Sequence, residues 1–174
     1  MLLGIPGLAA DRDTTEEWHI LYLLGEPTGY AHQIVRPREG GGVVATSTQK
    51  LTIKRGATTL ELEMSSSTEE DADGHVVAFR LLQKLSKQAT EVVGTRKGDV
   101  FVVTTKVGGR SRQSTIPVDP AGLGPIHAAK ILGERLKKPG DSAKVRVFVP
   151  DIKDYANHKV VFERSETVAL IGSE

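Results

Sequence analysis

The chain has 174 residues, with 23 Lys and Arg against 22 Asp and Glu, five His and no Cys. Near-zero net charge gives no global field for nucleic acid or an anionic membrane, and the missing thiols exclude disulfides, thiolate metal sites and a cysteine nucleophile within this sequence. The length suits one domain with its own core.

The first ten residues read MLLGIPGLAA, and charge begins at Asp11. Gly7 and Ala9 are small residues at the spacing a signal peptidase requires, although a basic n-region is missing. Residues 1–16 are therefore read as a leader remnant or a flexible arm. The expected location is extracytoplasmic, periplasmic or secreted. Residues 17–174 are read as a single β-rich domain, without a membrane-spanning apolar run.

Short alternating segments then follow one another, separated by turn residues, as in an antiparallel meander. Glu17 to Leu24 is the first strand, with Trp18, Ile20 and Tyr22 at period two. Gly25 to Gly29 is read as a turn. Tyr30 to Arg38 is the second strand, stopped by Gly40-Gly41-Gly42, and Val43 to Arg55 the third. Thr58 to Thr68 has the cleanest alternation. Leu60, Leu62 and Met64 share a face expected to point inward, and Glu61 and Glu63 share the solvent face. Asp73-Gly74 predicts a hairpin. Four more strands follow: His75 to Leu85, Gln88 to Arg96, Val100 to Val107 and Ser111 to Val118.

The rhythm then changes. Ile126, Ala129, Leu132 and Leu136 recur at helical spacing, with Ala128 and Ile131 beside them. Pro125 suits a first helical turn, and Pro139-Gly140 ends the helix. Ala143 to Val149 and His158 to Leu170 return to strand. The predicted fold is mainly β (α+β): a strongly curved antiparallel meander or half-barrel, with one amphipathic helix against its concave face. A closed barrel is the competing closure.

No motif announces a chemistry. The five histidines form no i, i+4 pair, and Asp71-Ala72-Asp73-Gly74 lacks the later ligands of a calcium loop. Neither a phosphate loop nor a nucleophile elbow occurs. Lys106, Arg110 and Arg112 surround Gly108-Gly109, either as an anion site or as solvated charge at a sheet edge. Glu69-Glu70-Asp71 reads as a solvated hairpin end. Asp151-Ile152-Lys153-Asp154-Tyr155 reads as a polar loop, and Trp18 as a core residue. No catalytic residue, metal or cofactor is expected.

Several phrases together resemble a known family. These are Trp18-His19-Ile20-Leu21-Tyr22, Gly25-Glu26-Pro27-Thr28-Gly29-Tyr30-Ala31-His32, Leu51-Thr52-Ile53-Lys54-Arg55-Gly56, Asp73-Gly74 and Lys138-Pro139-Gly140-Asp141, with Val145-Arg146-Val147-Phe148-Val149-Pro150 after them. They are similar to the N-terminal β domain of bacterial extracytoplasmic transglutaminase-like proteins, over most of Glu17 to Leu170. The resemblance implies a non-catalytic module that binds a partner or accompanies a transglutaminase-like domain, where the catalytic Cys, His and Asp would reside. More remotely, the strand order resembles the half-barrel of periplasmic lipoprotein carriers. That implies the alternative, a carrier of an apolar ligand such as a lipid or lipoprotein acyl chain. Its candidate ligand-binding residues are Leu60, Leu62, Met64, Phe79, Ala129 and Leu132. A filled concavity favours the module, and an open apolar cavity favours the carrier. An enzyme using Asp, Glu or His ranks third.

Overall fold

Alternating side chains and glycine-marked turns give strands where the sequence predicts them. The computed structural model describes residues 14–56, 58–85 and 88–165. Eight strands follow in chain order: β1 (Thr15–Leu23), β2 (Glu26–Pro37), β3 (Val43–Arg55), β4 (Thr58–Glu70), β5 (Val76–Leu85), β6 (Gln88–Lys97), β7 (Val100–Val107) and β8 (Arg110–Pro117). They form one antiparallel meander in that same order, with β1 and β8 as its two edges, so the sheet is open and not a barrel. Among the described residues a single helix, α1 (Pro125–Arg135), leads into a two-stranded ribbon of β9 (Ser142–Val149) and β10 (Asp154–Val161). Of the candidate leader or arm, 1–16, residues 1–13 lie outside the described residues, whereas Thr15 and Glu16 belong to β1, paired with Val35 and Ile34; the end of the last predicted strand also lies outside.

The first hairpin is tighter than predicted. Leu24 and Gly25 have φ of 54° and 87°, and β2 already begins at Glu26. A two-residue turn with positive φ matches strand twist. Pro27 to Gly29 belong to β2, beside an irregularity in its pairing with β1.

Register assigns every side chain to a face. One row runs Val35, Ala45, Thr68, Phe79, Gly94, Val103 across β2 to β7. The face bearing Phe79 is the inner one. Residues one step away along each strand point outward. The core lies on the inner face, where Val76, Phe79, Leu81, Val92, Phe101 and Val103 are buried with Phe148 of β9. The three phenylalanine rings are in mutual contact, with centroids 4.9 to 5.6 Å apart. A Cβ on Gly94 would stand 2.1 Å from the Phe79 ring, so only glycine lets that ring lie on β6.

The helix does not occupy the concavity as expected; the ribbon does. β9 carries Ala143, Val145 and Val147 on one face, and on the other Phe148 follows Ser142, Lys144 and Arg146. Phe148 points to the sheet, whereas Val145 and Val147 pack against Ala128, Ile131 and Leu132 of α1. β9 is thus buried along one face and, at Phe148, on the other as well. Ala129, predicted on the packed stripe, is exposed, and its neighbour Ala128 is 2% exposed. Trp18 also departs from expectation. It is 61% exposed, because β1 is an edge strand and no core forms on the sheet's outer face there.

Candidate ligand-binding face

The inner face divides into three zones. The first is the packed end beneath Phe148. It takes Phe79, one of the six predicted ligand-binding residues, into a filled core.

The second zone is a cleft of about 190 Å³ between the sheet and the start of α1. Gln33, Ala45, Ser47, Ser66 and Thr68 line the sheet side, and Pro125, Ile126 and Pro150 face them. The helix start that walls it is held by Glu70, which has no exposed surface. The backbone N–H groups of Ile126 and His127 donate to its two carboxylate oxygens at 2.8 and 2.9 Å. These are the second and third residues of the helix, whose N–H groups have no partner within it. Gly124, the residue before the helix, has no side chain to cap them. Glu70 therefore caps a helix that starts 55 residues later in the chain. A Cβ on Gly124 would meet the Glu70 side chain at 2.2 Å, and one on Gly74 would meet the His127 ring at 2.1 Å. The Gly124 N–H also donates to the Gly74 carbonyl at 2.7 Å. His75 donates from Nδ1 to the Gly122 carbonyl at 2.9 Å. Burial pushes the Glu70 carboxyl above its ordinary range, against the pull of the two N–H groups and of His127.

The reading of Glu69-Glu70-Asp71 as a solvated run thus fails at Glu70. The signal was present in the alternation: Leu62, Met64, Ser66, Thr68 and Glu70 share one parity. A bulge at Glu69/Glu70 adjusts the pairing where the strand meets its hairpin. Asp71 also turns inward, accepting from the N–H groups of Asp73 and His75 at 3.1 and 2.9 Å.

The third zone is the other end of the inner face. Leu21, Leu51, Leu62 and Leu85 form one row across β1, β3, β4 and β5, with Gly29 of β2 between the first two. Leu60 and Ile53 pair beyond it, and Met64 lies on the ribbon side between Gln49 and Gln83. Leu60, Leu62 and Met64 therefore share a face, as predicted, but are not deeply interior. Leu60 is 38% and Leu85 45% exposed, while Leu62 and Met64 are half-buried. On the opposite face Glu61 is exposed, and half-buried Glu63 accepts from Lys84 at 3.3 Å. Of the predicted set, only Leu60, Leu62 and Met64 come together. Phe79 is under the ribbon, Leu132 packs on β9, and Ala129 points away.

Two polar clusters flank these zones. Asp119 accepts from Arg146 Nε and from the Ala121 N–H, and Arg146 stands 5.7 Å over the Tyr155 ring. The Arg146 bond, then the Ala121 N–H, hold the Asp119 carboxyl below its ordinary value. Burial raises the Tyr155 hydroxyl. The predicted cationic cluster is split: Lys106 pairs with Glu91 at 3.7 Å. Arg110 and Arg112 instead line an open groove with Lys153. Among the described residues, no three His, Asp or Glu side chains gather in a metal-binding group. In comparison with known proteins, the chain matches no protein-family model, no curated protein and no solved structure.

Proposed function

We propose that the chain is a non-catalytic binding module whose leucine shelf is covered by the surface of a protein partner. A transglutaminase-like domain is the first candidate partner. The observation that carries this reading is the division of the inner face. Phe148 fills one end, and the row Leu21, Leu51, Leu62, Leu85 stays open at the other. A carrier's pocket encloses most of its ligand. A flat shelf covers one side of an acyl chain and leaves the other in water. A protein surface covers such a shelf fully, burying apolar area at ~25 cal/mol per Å². Gln49 and Gln83, beside Met64, would supply a polar rim.

The test is a titration of the chain with a transglutaminase-like domain encoded beside it, followed by NMR. Shifts confined to Leu51, Leu60, Leu62, Met64 and Leu85, abolished by Leu62→Lys, are the expected result. Stoichiometric uptake of a fluorescent fatty acid, lost in the same variant, would replace the module by the carrier.

A further inference from the structure

The two edges of the sheet are protected differently. β8 reads RSRQSTIP, with two arginines and a terminal proline. Cations and proline on an edge discourage further strand pairing. β1 reads TEEWHILYL and contains no Lys, Arg or Pro. Eight of its nine residues are exposed, and among the described residues no strand pairs with its outer edge, which presents backbone groups beside large apolar side chains.

Trp18 is held in place. On the outer face, Trp18 stacks on His32 with ring centroids 3.8 Å apart and planes 12° from parallel. The Tyr30 ring, also on β2, lies 5.5 Å from that of Trp18 and tilted by 43°. Glu16 Oε1 accepts from both the Trp18 indole at 3.1 Å and His32 Nε2 at 2.8 Å. Ile20 and Tyr22 continue the row and are 51% and 53% exposed. A preordered aromatic row loses little side-chain freedom on binding.

We infer that β1 pairs antiparallel with β1 of a second copy of this chain, with Ile20 on the two-fold axis. In that register Trp18 stands opposite Tyr22 of the other copy, and Ile20 opposite Ile20. The row is complementary to itself, as an isologous interface requires. Charge selects the same direction. Both acids, Glu16 and Glu17, lie near the N-terminal end of β1. An antiparallel copy sets them against uncharged Leu23 and Leu24, whereas a parallel copy sets acid on acid. Addition of β8 would instead put Ser, Gln and Thr opposite Trp18, Ile20 and Tyr22, and leave them uncovered.

The test uses the full chain in sedimentation velocity across a concentration series. A shift from the 18.8 kDa monomer to a discrete dimer is expected. Ile20→Lys should abolish it without altering the circular dichroism spectrum, since Ile20 is exposed. A sequence without cysteine permits a register test. Ile20→Cys should oxidise rapidly to a disulfide-linked dimer, and Tyr22→Cys should oxidise at least tenfold more slowly. A monomer at every concentration, a dimer that survives Ile20→Lys, equal oxidation of the two variants, or open-ended growth would each overturn the inference.

Discussion

Glu70 carries two opposing forces on one carboxylate. Two backbone N–H groups and a helix N-terminus favour its charge, and complete burial disfavours it more. Its folded-state pKa is raised, so the ionised form costs folding free energy. As pH falls through that raised value toward the ordinary glutamate range, the wild type should gain stability relative to Glu70→Gln. Denaturant midpoints of the two proteins across pH measure this. Asp119 has the opposite sign: its depressed pKa gives stability that is lost as pH falls through the folded-state value. At neutral pH, Glu70→Ala leaves the Ile126 and His127 N–H groups without their acceptor and should cost about 2 kcal/mol or more. Glu70→Gln retains one acceptor oxygen and should cost less. The inward parity of Glu70 was legible in β4. Its partner was not, because nothing local in the sequence says which helix will start beside a given hairpin.

At the scale of the element, α1 was located correctly and its facing nearly so. Of the predicted stripe Ile126, Ala129, Leu132 and Leu136, with Ala128 and Ile131 beside it, Ala129 is exposed. Packing against Val145 and Val147 centres the buried face on Ala128, Ile131 and Leu132 instead. Ala128→Leu should therefore overpack the β9 contact and destabilise by ~1–3 kcal/mol. Ala129→Leu should stay within about 0.5 kcal/mol. Thermal or denaturant unfolding of the pair reads the facing directly. The ribbon explains a second contrast. Phe148→Ala removes the ring that joins Phe79 and Phe101 and should cost ~3–5 kcal/mol. Leu62→Ala, on the open shelf, should cost about 1 kcal/mol, the lower end for a side chain only partly withdrawn from water. Equal losses would show that the shelf is covered in the isolated chain. The sequence displayed one apolar face of β9, Ala143, Val145 and Val147, and a lone Phe148 among Ser142, Lys144 and Arg146 on the other, so the prediction placed the helix, not the ribbon, against the sheet.

Across the whole molecule, the strand order was legible because period-two alternation and turn glycines are local signals. Gly40, Gly41, Gly74, Gly98, Gly108 and Gly109 all adopt positive φ at predicted breaks. Coverage was not legible: Trp18 looked like a core residue until the sheet showed β1 at its edge and the ribbon at one end of the inner face. The meander has a kinetic consequence. Every pairing in the large sheet joins consecutive strands, so each hairpin closes a short loop and assembly can proceed like a zipper. The bonds from Ile126 and His127 to Glu70 span 56 and 57 residues and close a far longer loop than any hairpin of the sheet. If the sheet forms first, this latch closes after the transition state. Glu70→Gln should then speed unfolding while leaving the refolding rate nearly unchanged in stopped-flow chevrons. The carboxylate that seats the helix would thus govern how long the folded state lasts, and have little influence on how quickly it is reached.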